Sequence, residues 1–210
     1  MKTKIKICGL RTQEDIRIVN REKPDYAGFV FAPGKRQIDI SQAKILKSFL
    51  EPEITAVGVF VNAPFEEVCA IADKNILDWI QLHGDEDETY IRHLRELTDK
   101  PVIKAIRVRN TKDIRKGDHL PCDYLLLDAY QKEQYGGSGH TFDWSMIPKM
   151  TKPFFLAGGI SERNLEEAIQ TYQPFALDVS SSVETAGKKD ADKVKRIIEL
   201  VRNRKEEEHE

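Results

Sequence analysis

Short apolar runs rich in Val, Ile, Phe and Leu recur along the chain, at 5–8, 26–31, 55–61, 79–82, 102–106, 124–127, 154–156 and 175–179. Most read as apolar throughout rather than alternating. Runs of this kind suit strands buried on both faces, as in a parallel sheet covered by helices. Polar segments with a helical period lie between them, at 13–21, 41–50, 65–74, 88–98, 161–171 and 190–204. Two further segments, 111–116 and 144–150, are long enough for only one or two turns. Thr12, Ser41 and Ser161 stand where N-caps belong, with oxygens that accept from the open N–H groups of a first turn.

About eight strand–helix units, repeating roughly every 25 residues, predict a single α/β domain folded as a (βα)8 TIM barrel of eight parallel strands and outer helices. An open doubly wound sheet more often carries five or six strands and a Gly-rich turn after the first strand. Here only Gly9 occupies that turn. No linker divides the chain, so 1–204 is read as the barrel and 205–210 as a charged, frayed tail.

The 210 residues carry 33 Lys+Arg against 35 Asp+Glu, a net charge of -2, which gives no support to nucleic-acid binding. No apolar run approaches the roughly 18 residues of a membrane span, and the opening decapeptide is too short for a signal peptide. The three cysteines, Cys8, Cys69 and Cys122, are odd in number and scattered, which favours a reducing cytoplasm over a disulfide framework. No His/Asp/Glu set has metal-site spacing, and no Walker or dinucleotide fingerprint is present, so no metal is expected.

In such a barrel reactive groups belong at the C-terminal strand ends. Gly158 and Gly159 follow strand seven and let a backbone approach a ligand, while a helix starting near Ser161 would favour an anion. Ser180 and Ser181 follow strand eight, in the usual phosphate position of these barrels. Cys8 is by type a small apolar core residue, but its place before a glycine and a helix start favours a thiol of lowered pKa, a proton acceptor or nucleophile. Cys69 and Cys122 read as structural.

Asp128 closes a buried apolar run, a partly desolvated setting that suits general acid work, with a capping or salt-bridged aspartate as the alternative. Arg36 offers a fixed fork for a carboxylate, against a plain solvated loop arginine. His83 and Asp178 also lie at strand ends, where they either act directly or orient their neighbours.

Taken together these residues resemble the phosphoribosylanthranilate isomerase family of tryptophan biosynthesis. The resemblance rests on Lys6-Ile7-Cys8-Gly9, Gly28-Phe29-Val30-Phe31 with Lys35-Arg36, Gly58-Val59-Phe60-Val61-Asn62 and Gln81-Leu82-His83-Gly84-Asp85. It continues through Leu127-Asp128, Tyr135-Gly136-Gly137-Ser138-Gly139 with Phe142-Asp143-Trp144, Ala157-Gly158-Gly159-Ile160, and Asp178-Val179-Ser180-Ser181 followed by Val183-Glu184. It covers nearly the whole chain in order.

The resemblance implies an Amadori rearrangement of N-(5'-phosphoribosyl)anthranilate to 1-(2-carboxyphenylamino)-1-deoxy-ribulose 5-phosphate, an internal redox needing no cofactor. By position it makes Cys8 the general base, Asp128 the general acid and Arg36 the grip on the anthranilate carboxylate. Phosphate goes to Gly158, Gly159, Ser180 and Ser181. The expected partner is this small phosphorylated substrate, with no membrane or nucleic acid, in a monomer or homodimer.

Two departures stand out: Ser182 replaces a common family glycine, and the loop before Arg36 is about one residue short. Both should change affinity before chemistry. The alternatives are another sugar-phosphate barrel enzyme, such as an epimerase or indole-glycerol-phosphate synthase, or a barrel that binds a phosphorylated metabolite without catalysis. A synthase would place a lysine at a strand end as general acid.

Overall fold

A computed structural model describes residues 2–129 and 141–203. Eight parallel strands close into a barrel in sequence order. They are β1 (Lys4–Cys8), β2 (Tyr26–Val30), β3 (Thr55–Phe60), β4 (Trp79–Leu82), β5 (Val102–Val108), β6 (Tyr124–Ala129), β7 (Phe154–Leu156) and β8 (Ala176–Val179). The helices are α1 (Gln13–Glu22), α2 (Ile40–Phe49), α3 (Phe65–Ala72), α4 (Glu88–Leu97), α5 (Thr111–Asp118), α6 (Leu165–Tyr172) and α7 (Ala191–Arg202). The 144–150 segment shortens to a 3-10 turn, Trp144–Met146, and after β8 come a 3-10 turn, Ser181–Val183, and a hairpin of β9 (Glu184–Thr185) and β10 (Lys188–Lys189).

Thr12 caps α1 with a full capping box shared with Asp15. The other two expected caps are displaced. Asp39 caps α2, its carboxylate accepting from the Gln42 N–H, because it stands one residue before the first helical position. α6 begins only at Leu165, and Asn164 precedes it while accepting from the Ser161 N–H. The tail from 204 onward, and the 135–139 motif, lie outside the described residues.

Period-two alternation divides each strand between two environments. Ile5 and Ile7 of β1 pack outward in the large cluster shared with the helices. The inner face of the barrel is layered instead. Its N-terminal floor is aromatic: Tyr26, Trp79, Tyr124, Phe155 and Phe175 meet at centroid distances of 4.7 to 6.4 Å in offset and edge-on arrangements. Lys4 extends over the Phe175 ring at 4.8 Å. Above this floor the same alternation lifts polar side chains toward the other end: Lys6 and Cys8 on β1, Gln81 and His83 on or just after β4, Asp128 on β6 and Asp178 on β8. These site residues are therefore carried by the barrel strands themselves.

Candidate active site

Cys8 ends β1 and pairs in register with Gly28 of β2. A Cβ at Gly28 would stand 2.7 Å from the Cys8 sulfur, so the glycine makes room for the thiol. Gly9, at φ +84°, takes the backbone into the left-handed region just past it. The expected lowering of the thiol's pKa by a helix start is overturned. α1 begins at Gln13, too far along to polarise Cys8, and burial dominates, pushing the thiol up. Lys6 and Lys189 pull the other way and Asp178 adds to the rise.

Lys6 is the main residue that reading by type passed over. It is fully buried, donates to Asp178 Oδ1 at 3.0 Å, and shares the inner face of β1 with Cys8. A lysine two places before Cys8, alternating with Ile5 and Ile7, was the signal: it had to share the cysteine's face. Burial disfavours its charge, but Asp178 and Cys8 outweigh burial and raise its pKa. Asp178 is thus the partner of a buried cation.

Asp128 is 3% exposed near the end of β6. Its Oδ1 accepts from the Ala129 N–H at 2.8 Å, and its Oδ2 lies 3.2 Å from His83 Nε2. His83 Nδ1 in turn is 2.8 Å from the Gln81 amide nitrogen, which can only donate. That leaves Nδ1 as acceptor and puts the ring proton on Nε2, aimed at Asp128. Gln81, too, was missed from sequence. Gly158, at φ +72°, leaves the Asp128 carboxylate its space: a Cβ there would lie 2.8 Å from Oδ1.

Arg36 is not a solvated loop arginine. Its Nε and Nη2 donate at 2.8 Å each to the two oxygens of Glu184 on the β9–β10 hairpin, and its stem lies over Gly9, where a Cβ would meet Cδ. Glu184 also accepts from Lys189 at 2.8 Å. Burial alone would raise the Glu184 carboxyl, but these two cations bring it to about 2. Arg11 completes the staple, donating to the carbonyls of Lys35 and Gly187. The fork is therefore held beside Cys8 by a hairpin 148 residues further along the chain.

At the remaining rim, Gly158 and Gly159 have φ of +72° and +71°, and Ser180 donates to the Cys8 carbonyl at 3.0 Å. β7 and β8 are neighbours, so these glycines, Ser180 and Ser181 occupy one sector of the mouth. The expected help from the α6 dipole fails, since that helix starts six residues after Gly159. Among the described residues no group of three or more His, Cys, Asp or Glu could hold a metal, and no helix is long and apolar enough to cross a membrane.

A closed parallel barrel with a thiol, a carboxyl, a clamped guanidinium and a glycine-lined rim at one mouth has the layout of a (βα)8-barrel enzyme. Comparison with known proteins narrows the class. The family model for N-(5'-phosphoribosyl)anthranilate (PRA) isomerase matches residues 5–200. A relative from Thermoanaerobacter sp. (strain X514), an N-(5'-phosphoribosyl)anthranilate isomerase, is 48% identical over 201 residues, 95% of this chain and 98% of its own.

Two Thermotoga maritima phosphoribosyl anthranilate isomerase structures superpose with TM-scores of 0.84 and 0.81 at 35% and 34% identity. Each alignment covers 95% of this chain and 98% of theirs, and the second shows monomers generated from a dimeric protein. A third isomerase structure, in complex with reduced 1-(o-carboxyphenylamino)-1-deoxyribulose 5-phosphate, has a TM-score of 0.80 at 33% identity, covering 95% of this chain and 98% of its own. This chain belongs to the N-(5'-phosphoribosyl)anthranilate isomerase family, the isomerases of tryptophan biosynthesis.

Proposed function

We propose that this chain converts N-(5'-phosphoribosyl)anthranilate to 1-(2-carboxyphenylamino)-1-deoxy-ribulose 5-phosphate, with Asp128 as general acid and Cys8 as general base. The observation that supports the assignment of roles is that both groups are buried at the C-terminal ends of barrel strands, Asp128 on β6 and Cys8 on β1. Asp128 protonates the ring oxygen of the sugar, which opens to a protonated imine. The cationic imine acidifies the C2 proton, and the Cys8 thiolate removes it. The resulting enolamine tautomerises to the ketone. Each positioned proton transfer contributes roughly 10²–10⁴-fold.

The surroundings divide the labour. Gln81 and His83 orient Asp128, the ring N–H meeting Oδ2 so that Oδ1 stays with the Ala129 N–H. Arg36 takes the anthranilate carboxylate while Glu184 holds its Nε edge, a two-sided use that its planar fork permits. Gly158, Gly159, Ser180 and Ser181 receive the phosphate, pinning the sugar at the end opposite the aromatic ring. Holding both ends supplies orientation that neither proton transfer could supply alone. A reaction that moves hydrogen from C2 to C1 within one molecule has no outside electron acceptor.

The ligand bound to the family neighbour supports the phosphorylated substrate class. A cytoplasmic location accords with the biosynthetic family and with three free cysteines. Chain association as monomer or homodimer is compatible with the same site. The test is turnover of freshly prepared phosphoribosylanthranilate, followed by loss of its anthranilate-type fluorescence. Thermal stabilisation by the substrate with no fluorescence loss would instead support a barrel that only binds the metabolite.

A further inference from the structure

We propose that the buried Lys6–Asp178 pair is what makes Cys8 available as a base: Lys6 is a positioning residue whose ammonium, anchored on Asp178, stabilises negative charge on the sulfur from beneath. This rests on the assignment of Cys8 as base and extends it.

The geometry is specific. Lys6 and Asp178 are register partners on adjacent strands, β1 and β8, and their side chains meet at 3.0 Å inside the barrel. Lys6 has no exposure to water, and Asp178 has 9% of its side chain exposed. Two residues along β1, Cys8 stands on the same inner face, where its charge and that of the ammonium act on one another. A fully buried lysine is costly to keep charged, so a chain retains one where its charge has a partner. Here the partners number two, the Asp178 side chain and a thiol that gains charge only on losing its proton.

The other charged groups facing the sulfur are Lys189 on β10, which pulls the thiol the same way as Lys6, and Arg36 from the loop after β2, whose charge also feels the sulfur. Both are tied to Glu184, and Lys6 alone is tied to Asp178. Burial and Asp178 oppose the thiolate. Remove Lys6 and those two stand against Lys189 and Arg36, each already shared with Glu184. When the thiol gives up its proton to solvent water at the mouth, the thiolate that forms lies beside the Lys6 ammonium. Catalysis then returns a proton to sulfur from C2 of the substrate.

The test is the pH dependence of iodoacetamide alkylation of Cys8, read by mass spectrometry on the Cys8 peptide, which requires no turnover. Two variants are compared with wild type after circular dichroism has verified their fold. One is Lys6→Met. The other is Lys6→Met/Asp178→Asn, which removes the pair as a unit and leaves no unpaired buried carboxylate. In both, alkylation at neutral pH should slow about tenfold or more, with the profile displaced to higher pH, because thiolate is the reacting form. kcat/KM of Lys6→Met should recover toward wild type as pH rises, which a merely structural role for Lys6 would not produce. A wild-type alkylation profile in either folded variant overturns the proposal. Near-native turnover by Cys8→Ser would instead remove the base assignment, leaving the alkylation result to stand by itself.

Discussion

Gly28 illustrates how much of the chemistry depends on single atoms. Because an added Cβ would stand 2.7 Å from the Cys8 sulfur and 3.0 Å from its Cα, Gly28→Ala must displace the thiol or the strand. Turnover should fall on the order of 10–100-fold, since small misplacements of a reacting group are that expensive. Cys8→Ser and Asp128→Asn should each lower kcat by roughly 10²–10⁴-fold. Neither should greatly alter binding of a phosphorylated product analogue, because neither residue belongs to the proposed phosphate sector. Retention of both kcat and KM in Gly28→Ala would show that the sulfur's position is not under the control described.

At the scale of elements, the β9–β10 hairpin is an aiming device. Glu184→Gln should raise KM several-fold more than it changes kcat, because Arg36 anchors a carboxylate remote from the proton transfers. Arg36→Ala should do the same more strongly. The hairpin also has a pH signature. Glu184 titrates at about 2 when folded, against 4.5 when unpaired, so its pairing contributes fully above about 4.5 and is lost as pH falls toward 2. Urea denaturation should find Glu184→Gln less stable than wild type at pH 7, with the gap narrower at pH 3. A gap of equal size at both values would mean the pairing does not stabilise the fold.

The same scale shows what could be read beforehand. Strands buried on both faces declare themselves as apolar runs, so all eight were legible, and Thr12 was legible because a capping box is local. Ser41 failed as a cap because it already lies inside the first turn, behind the capping Asp39, and Ser161 failed because the helix starts only at Leu165. Cys8, Asp128, Arg36 and His83 could be singled out by type and strand-end position. The direction of the Cys8 shift could not, since the helix that was to lower it starts further on and burial wins. Nor could the hold of Glu184 on Arg36, a pairing set by barrel closure rather than by local spacing.

Over the whole molecule, stability and chemistry occupy opposite ends of one barrel. The aromatic floor of Tyr26, Trp79, Tyr124, Phe155 and Phe175 seals the N-terminal end, while the polar inner layers open at the other. Phe155→Ala should cost about 3–5 kcal/mol in denaturant titration, yet leave kcat within a few-fold where the variant is folded. A large loss of kcat in a fully folded variant would show that the two ends are coupled.

The barrel's central task is to bring the Cys8 sulfur to C2 of a sugar opened by Asp128. The most direct measurement is a single-turnover fluorescence decay with substrate carrying deuterium at C2, run on wild type, Cys8→Ser and Asp128→Asn. Wild type should show a slower decay with deuterium than with hydrogen, and each variant should lose the fast decay while still binding the product analogue. A decay indifferent to deuterium in every protein, or a Cys8→Ser variant matching wild type, would contradict the account.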